Sequence, residues 1–406
     1  MKNSKVSPFD SKYLKNNLKG IKVCRIATVP FYLTSHFLTQ HEYMRDIGMK
    51  VVLISSDGQE LSKIKTCFDL SHEIVEIPRS LHLWKDFVAL IKLIKIFHKH
   101  KFDIVHSTTP KAGLLSAIAA FFTRTPVRLH TWTGQPWVTL KGPIRWVSRL
   151  ADKLIGTLNT RCYADSKSQR RFLVNEQIIA SKKISVIGHG SLAGVDLSRF
   201  DPKQWSVATK HQLKQDLSIN SNSKVLIFVG RITRDKGIFE LLSAFRELLH
   251  LGYDVDLLLV GPLDQDCGGM GTITIDDIKQ SPRIHYVGYT ECPERYLSIS
   301  DILCLLSYRE GFNTVVIQAA AMGIPTIGTH IYGLVDPVVN GETGILVPPH
   351  DDPSLLQALK QLLNNPDLTY RMGRAARQRC VRQFDANIIN KKVAEEYLRI
   401  LKATRE

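Results

Sequence analysis

The chain has 406 residues, 44% of them hydrophobic and 23% charged, which excludes a disordered, collagen-like or disulfide-scaffold protein. At about 100–200 residues per domain, this length predicts two domains. Residues 1–200 contain 31 Lys and Arg against 14 Asp and Glu, a net +17, while the rest of the chain carries −1. Solvated lysine-rich helices would explain such an excess, but its confinement to one half favours an anionic partner: nucleic acid, a membrane surface or a substrate.

The first half alternates short apolar, β-branched runs with helical patterns. The runs predict strands at residues 22–29, 50–55, 74–77, 104–106, 127–131, 161–164 and 183–187. The periodic segments predict helices near 82–100, 111–122, 143–157 and 166–176, with another between the first two strands. This alternation is typical of a doubly wound parallel sheet.

A second series of the same kind follows a polar stretch at 201–223. Its predicted strands are 224–230, 255–260, 284–287, 302–306, 326–329 and 344–347, and its helices are 237–251, 292–299, 313–322 and those from 352 onward. We therefore predict an α/β protein with two doubly wound, Rossmann-like domains that face a central cleft. The domains are residues 1–195 and 205–385, and a last helix at 386–406 packs back toward the N-terminal domain.

Three features bear on the cellular compartment. The longest strongly apolar run, residues 114–122, is far shorter than the roughly 20 residues that span a membrane. The first twenty residues are polar and lysine-rich, so we expect no signal peptide. The seven cysteines are widely spaced and form no CxxC pair, which predicts reduced thiols in a cytoplasmic protein, with neither a disulfide set nor a metal site.

Two segments of the second half carry residues suited to phosphate and sugar. Glu310 and Gly311 begin a turn between a strand and a helix, where free N–H groups near 312–315 suit an anion. Gly311 permits close backbone approach, and Glu310 can accept hydrogen bonds from hydroxyls. Earlier in the chain, Gly230-Arg231 follows a strand and Lys236 stands five residues further on, a pair of cations that suits a diphosphate.

Together these segments resemble the retaining GT-B glycosyltransferases of glycosyltransferase family four, over nearly the whole chain. The resemblance rests on Gly230-Arg231, Lys236-Gly237, Glu310-Gly-Phe, Gly323-Ile-Pro-Thr326, Asn340-Gly-Glu-Thr-Gly344, Tyr163-Ala-Asp-Ser166 and the 190–196 segment. It implies a nucleotide-sugar donor on the C-terminal domain and an acceptor on the N-terminal domain. It also implies retention of anomeric configuration, no metal and no cofactor.

The resemblance also implies the site residues. Arg231 and Lys236 would stabilise the leaving diphosphate, and Glu310 would orient the donor sugar. Donor contacts would come from Gly230, Gly288, Gly311, Phe312, Asn313, Thr314, Val315 and Gln318. Family members carry a second Glu at position 318, on the ribose hydroxyls. Gln318 lacks that charge, so we expect weaker or altered donor binding.

A second departure lies in the segment HTWTGQPW at 130–137. Many relatives place a His-Gly pair here, with the His at the reacting sugar, and alignment on Gly134 puts Thr133 at that place. The segment is similar to the corresponding segment of a subgroup of bacterial polysaccharide glycosyltransferases. Thr133 and Gln135 could therefore hydrogen-bond the donor or acceptor. In an extended strand His130 and Thr133 face opposite sides, so a structural role is the better explanation of His130.

Two basic segments carry aromatics: residues 83–101 and residues 137–149. In the first, an apolar stripe comprises Trp84, Phe87, Leu90, Ile91, Ile94 and Phe97. We expect the apolar face of each segment to pack against the sheet. The mixture of cations and aromatics on the N-terminal domain also fits an interfacial membrane surface, as the family resemblance implies for lipid-linked acceptors.

These features predict a retaining hexosyl- or N-acetylhexosaminyltransferase, peripheral to the inner face of the cytoplasmic membrane. It would move a sugar from a nucleotide-sugar, expected to be a UDP-sugar, to a lipid-linked or saccharide acceptor of capsule, O-antigen or lipopolysaccharide. Two alternatives stay open: a UDP-sugar epimerase of the same fold, and a catalytically silent partner subunit, which Gln318 and Thr133 would explain. Nucleic-acid binding accounts for the charge but for none of the motifs.

Overall fold

The computed structural model describes residues 10–58, 60–61, 70–263, 278 and 281–405. It divides into two compact units. Unit 1 comprises Met1–Gly194 together with Ala386–Glu406, and unit 2 comprises Val195–Asp385. The chain therefore leaves unit 1 after residue 194 and returns to it at residue 386.

Unit 1 is built on a seven-stranded parallel sheet in the order β3-β2-β1-β4-β5-β6-β7. The strands are β1 Lys22–Ile26, β2 Lys50–Ser55, β3 Ser71–Ile74, β4 Ile104–Thr108, β5 Val127–Trp132, β6 Arg161–Ala164 and β7 Ile184–Ser185. The helices are α1 Ser11–Leu18, α2 Pro30–Asp46, α3 Leu83–His100, α4 Pro110–Phe122, α5 Gly142–Leu158 and α6 Lys167–Asn175. The central strands β1 and β4 are almost wholly buried, as expected of a sheet covered on both faces.

The last helix, α13 (Ala386–Arg405), belongs to unit 1 and packs on α2 and α1. One of its faces is buried through Val393, Tyr397 and Leu401. The Tyr397 hydroxyl lies 2.8 Å from Nη1 of Arg25 and 2.6 Å from Nδ1 of His106, two buried residues of the central strands. This polar contact ties the end of the chain to the middle of the sheet.

Unit 2 contains a six-stranded parallel sheet in the order β10-β9-β8-β11-β12-β13. Its strands are β8 Lys224–Val229, β9 Val255–Val260, β10 Ile284–Gly288, β11 Ile302–Leu305, β12 Thr326–Thr329 and β13 Gly344–Val347. Its helices are α7 Val207–Asp216, α8 Ile238–His250, α9 Pro293–Leu297, α10 Thr314–Ala321, α11 Asp352–Leu363 and α12 Pro366–Gln383. The predicted α/β class with two doubly wound parallel sheets is confirmed.

One predicted strand is in the wrong place. The sequence indicated residues 74–77, whereas β3 pairs Ser71 with Val52 and ends at Ile74. Val75 and Ile77 lie beyond the strand, with their side chains buried in the core. β3 lies at the edge of the sheet, and backbone hydrogen bonds with β2 determine which of its residues are paired. The apolar residues that suggested the strand follow it in the sequence and do not belong to it. Among the helices in the described part of the chain, none is long and apolar enough to cross a membrane.

Candidate active site

The candidate site of unit 2 lies at the carboxyl ends of β8 and β11. These strands are neighbours in the sheet although β9 and β10 separate them in sequence. The winding of the sheet reverses between them, and open α/β sheets bind ligands at such a switch point. The segment after β8 carries Gly230, Arg231 and Lys236, and the segment after β11 carries Glu310. The topology thus brings the residues named from two distant motifs to one edge.

Lys236 and Glu310 form an ion pair. Lys236 Nζ donates to Glu310 Oε1 at 2.6 Å, and the two side chains are only 16% and 11% exposed. Asn313 Nδ2 donates to the same oxygen at 3.0 Å. Burial raises the pKa of Glu310, but the charge of Lys236 and the hydrogen bonds outweigh burial, so the pKa is lowered overall. Glu310 is therefore a carboxylate at neutral pH, available to accept hydrogen bonds.

Asn313 has a second role, as the N-cap of α10. Its Oδ1 accepts the N–H of Val315 at 2.9 Å, and its extended backbone is typical of a capping residue. The N–H of Val315, which the sequence assigned to the donor, is therefore already bonded within the chain. The same side chain fixes the helix start and the Glu310 carboxylate.

Asp235 joins the two segments, a role that the sequence analysis did not assign. Its backbone oxygen accepts the N–H of Tyr308 at 2.9 Å, and its carboxylate lies 3.3 Å from Nη2 of Arg309. Burial raises the pKa of Asp235, but a hydrogen bond from Thr233 and the charges of Lys236, Arg309 and Arg231 together lower it. The sequence shows the charged pairs Asp235-Lys236 and Arg309-Glu310. It gives no sign that Asp235 contacts the second pair.

Two glycines allow the backbones of this site to meet. Gly237 has φ 70°, and a Cβ there would lie 2.3 Å from the backbone oxygen of Leu306. Gly333 has φ 86°, and a Cβ there would lie 2.4 Å from the backbone oxygen of Glu310. A side chain at position 237 would push apart the segments that carry Lys236 and Glu310, and one at position 333 would displace the backbone of Glu310.

The other predicted donor residues of unit 2 fall into different surroundings. Gly230 follows β8 with φ 152°, and Gly288 is the last residue of β10 with φ 78°, so both lie at the same edge of the sheet. Phe312 is 7% exposed and its ring lies 5.4 Å from that of Phe384, so its side chain belongs to the core. Gly311 is also buried, and Thr314 begins α10. Gln318 is half-buried one turn further along α10, and within the described chain its side chain has no hydrogen-bond partner.

The predicted acceptor-side residues lie in unit 1, where β5 ends. His130 is 1% exposed and its Nδ1 is 2.9 Å from the Ser107 hydroxyl. Burial lowers the pKa of His130 to about 3, so the ring is neutral, as expected of a structural histidine. Thr133 is half-buried within hydrogen-bonding reach of the Tyr32 phenol. Gln135 is fully buried, and its Oε1 accepts a long hydrogen bond of 3.4 Å from Gln169.

Two doubly wound, Rossmann-type parallel sheets are the architecture of the GT-B fold, and the sheet of unit 2 carries its cations and carboxylate at the switch point. Residues 33–198 match Glycosyltransferase Family 4, and residues 209–379 match Glycosyl transferases group 1. The capsular polysaccharide biosynthesis glycosyltransferase CapM of Staphylococcus aureus is 33% identical over 367 residues, which are 89% of this chain and 93% of that protein. The chain belongs to the GT-B glycosyltransferases of family 4, and the predicted resemblance is confirmed.

A further relative agrees with this assignment, and a solved structure shares the fold. The UDP-Gal:alpha-D-GlcNAc-diphosphoundecaprenol alpha-1,3-galactosyltransferase of Escherichia coli is 27% identical over 95% of this chain and 98% of that protein. The crystal structure of Anabaena Alr3699/HepE in complex with UDP-glucose superposes with a TM-score of 0.76 at 18% identity, covering 93% of this chain and 99% of that one. At that identity the likeness is one of fold.

Proposed function

We propose that this protein is a retaining, metal-independent glycosyltransferase that moves a sugar from a UDP-sugar to a lipid-linked saccharide in surface polysaccharide synthesis. The observation that carries the proposal is the ion pair of Lys236 and Glu310 at the switch point of unit 2, with Arg231 on the same segment. A cation pair and an ionised carboxylate at one sheet edge match the two halves of a nucleotide-sugar: a diphosphate and sugar hydroxyls.

The proposed chemistry uses these charges in the transition state. As the sugar–phosphate bond breaks, negative charge develops on the diphosphate, and Arg231 and Lys236 stabilise it without a bound metal. Lys236 has three N–H donors, so it can contact a phosphate oxygen and keep its bond to Glu310. Glu310 orients the sugar through its hydroxyls. The acceptor hydroxyl attacks from the face that the diphosphate leaves and passes its proton to the departing phosphate oxygen, so the anomeric configuration is retained.

The names of the relatives supply the substrate class. The Escherichia coli relative is named for a UDP-galactose donor and an acceptor on diphosphoundecaprenol, and the Staphylococcus aureus relative for capsular polysaccharide. We extend both to this chain: a UDP-hexose or UDP-N-acetylhexosamine as donor, a lipid diphosphate saccharide as acceptor, and the inner face of the cytoplasmic membrane as the location.

A transfer assay tests the proposal. Purified protein is incubated with a panel of UDP-sugars, with and without an undecaprenyl-diphosphate saccharide, and products are analysed by mass spectrometry and NMR of the new glycosidic bond. We expect a product only when acceptor is present, with the anomeric configuration of the donor. A changed sugar without acceptor would indicate the epimerase, and UDP binding without any product would indicate the silent partner subunit.

Gln318 provides a prediction on nucleotide affinity. If its side chain contacts the ribose, Gln318→Ala should weaken UDP binding about 3–10-fold, the effect of one net hydrogen bond. Gln318→Glu should keep or increase the affinity, because a carboxylate accepts ribose hydroxyl bonds more strongly. Isothermal titration calorimetry measures all three proteins. Equal affinities would mean that Gln318 does not contact the nucleotide.

The membrane part of the proposal rests on an exposed surface of unit 1. The predicted packing of the apolar stripe on α3 is wrong for its first half: Trp84 is 74%, Phe87 54% and Ile91 37% exposed. The side of the helix that faces the core is formed by Ala89, Leu93 and Phe97. On α5, likewise, residues 142–147 are all exposed.

We call this surface the apolar–basic face. It consists of Leu83, Trp84, Phe87, Ile91, Ile144, Trp146, Val147 and Leu150, with Lys85, Lys92, Lys141 and Arg145 among them. α3 and α5 both pack against α4, and their first halves lie at the carboxyl end of the sheet, which is also where β5 leads to Thr133. Solvent-exposed aromatics mixed with lysine and arginine suit an anionic bilayer surface, which accepts both apolar and cationic groups.

Vesicle binding tests the apolar–basic face. Each cation near an anionic surface contributes roughly 1 kcal/mol, so Lys141→Gln with Arg145→Gln should weaken vesicle binding about thirtyfold. Arg149 is left unchanged because its Nη2 donates to the Glu176 backbone oxygen at 2.7 Å. Sedimentation with phosphatidylglycerol vesicles at low salt measures the effect, and binding should fade toward 1 M salt, where the Debye length is about 3 Å.

The matched control is Arg371→Gln with Arg374→Gln, which removes two exposed cations from a helix of unit 2 and should leave vesicle binding unchanged. UDP affinity should be unchanged in both double variants. Duplex DNA is compared at matched salt, because nucleic acid is the other partner that the charge would suit. Absence of vesicle binding by the full-length protein at low salt would contradict the membrane proposal.

A further inference from the structure

Both ends of loop 133–135 are hydrogen-bonded to one carboxylate. Trp132, the last residue of β5, donates its Nε1–H to Asp152 Oδ1 at 3.2 Å. Trp137, just beyond the loop, donates its Nε1–H to Asp152 Oδ2 at 2.7 Å. Asp152 lies on α5 and is 2% exposed, and each indole is 1% exposed. The two tryptophans of HTWTGQPW thus share one buried acceptor.

This arrangement costs stability when Asp152 is ionised. Burial raises the pKa of Asp152 to about 6, although both indole hydrogen bonds lower it. Because the pKa in the folded state is above the ordinary value, ionisation of Asp152 removes stability as the pH rises from about 4 toward 6. A buried carboxylate facing two neutral donors is a costly way to hold an interior together, since apolar side chains of similar volume are often as stabilising. The two directed hydrogen bonds are suited to fixing the positions of Trp132 and Trp137.

The helix that carries Asp152, α5, also carries one part of the apolar–basic face. Trp146, Val147 and Leu150 are exposed on α5, while Asp152 and Ile155 point into the unit. Trp137 is held from two further sides: its ring stacks on that of Phe172 at 5.4 Å, and the Arg149 guanidinium lies 5.7 Å from the ring centre. A single helix therefore carries exposed residues of the apolar–basic face on one side. On the other side its Asp152 accepts hydrogen bonds from the residues that flank loop 133–135.

We propose that Asp152 is a positioning residue for sugar transfer, which sets the loop carrying Thr133 and Gln135 relative to the apolar–basic face of α5. The inference rests on the proposed function, because it takes this loop to contact the acceptor or the transferred sugar. A lipid-linked acceptor approaches from the bilayer, so its reacting hydroxyl lies at a height set by the lipid. The enzyme must hold the receiving loop at the matching height, and a short connection from the membrane-facing helix to both ends of the loop does this.

The substitution Asp152→Asn tests the inference. Asparagine keeps the volume but offers one acceptor oxygen to two donors and places its own NH₂ against an indole N–H. We expect kcat/KM for the lipid acceptor to fall about 10–100-fold, because a misplacement of about 1 Å can cost a factor of 100. UDP affinity and vesicle binding should stay at the wild-type values. Amide hydrogen exchange within residues 133–139 should become faster, and two of the five indole N–H resonances should shift.

Controls separate positioning from folding and from the proposed function. Glu73→Gln removes a carboxylate at the opposite edge of the sheet, where it pairs with His100, and should change neither kinetics nor loop exchange. Trp137→Phe removes one of the two hydrogen bonds and keeps the stacking on Phe172, so it decides the question if Asp152→Asn does not fold. Should the wild-type protein lack transfer to any lipid acceptor, the proposed function fails, and unchanged loop exchange would separately overturn the anchoring. Wild-type kcat/KM in a folded Asp152→Asn enzyme overturns the positioning role.

Discussion

Replacing Arg231 or Lys236 by alanine should lower turnover by two to three orders of magnitude, a typical loss for one preorganised group that stabilises transition-state charge. Both cations lie on the segment after β8, at the switch point of unit 2. Lys236→Ala also deprives Glu310 of its ion pair, so burial would dominate and the pKa of Glu310 would rise. Arg231→Ala is therefore the cleaner variant, and initial-rate kinetics with UDP-sugar and acceptor measure the effect.

Arg234→Ala is the matched control for this prediction. Arg234 lies in the same turn, but it is exposed and its guanidinium rests 5.7 Å above the Phe239 ring. The Arg234→Ala variant loses the same charge three residues from Arg231, and its turnover should stay near that of the wild type. A uniform loss across Arg231→Ala, Lys236→Ala and Arg234→Ala would point to a general charge effect. Normal turnover in folded Arg231→Ala and Lys236→Ala would contradict the diphosphate role.

Gly237→Ala should strongly destabilise unit 2 and disturb the candidate site. The residue has φ 70°, and its Cβ would lie 2.3 Å from the Leu306 backbone oxygen. The left-handed backbone costs an alanine roughly 1–2 kcal/mol, and overpacking costs roughly 1–3 kcal/mol more. The clash also separates the segments that bring Lys236 to Glu310. We expect a loss of about 2–5 kcal/mol in the free energy of unfolding, together with weakened UDP binding.

Gly252→Ala isolates the backbone contribution. Gly252 lies at the other end of α8 with φ 82°, and nothing lies within 4 Å of the Cβ that an alanine would add. This variant should lose only the roughly 1–2 kcal/mol of the left-handed penalty and keep its UDP affinity. Urea unfolding and calorimetric UDP titration compare the two. Equal losses of stability and affinity in both proteins would show that the contact with Leu306 does not hold the site together.

The sheets were predictable because their central strands are buried on both faces. Segments such as β8 and β11 are short, mostly apolar runs between turns, and their predicted bounds agree with the structure to within one residue. Two helices were missed: α1, in the polar N-terminal stretch, and α7, in the polar stretch at 201–223. α1 buries only Leu14 and Leu18, and α7 only Leu213, too few apolar residues to give a period.

The site was predictable as a set of residues, but its contacts were not. Motif resemblance named Arg231, Lys236 and Glu310, and the strand order explains why they share an edge. The ion pair joins residues 74 positions apart, and Asp152 on α5 contacts Trp132 at the end of β5 and Trp137 beyond it. Neither contact has a local pattern. The exposure of Trp84 and Trp146 was equally hidden, since periodicity reveals an apolar stripe but not what covers it.

The return of the chain to unit 1 at residue 386 has a consequence for synthesis on the ribosome. Unit 2 is one continuous segment of the chain. Unit 1 is complete only when α13 has been made, because Tyr397 of that helix contacts Arg25 in the centre of the first sheet. At about 5–20 residues per second, the nascent chain carries an uncovered first sheet for roughly 10–40 s after residue 194 has emerged. Unit 2 can therefore fold first although it is made second. Until α13 arrives, the buried face beneath it is exposed to chaperones, to proteases and to other nascent chains.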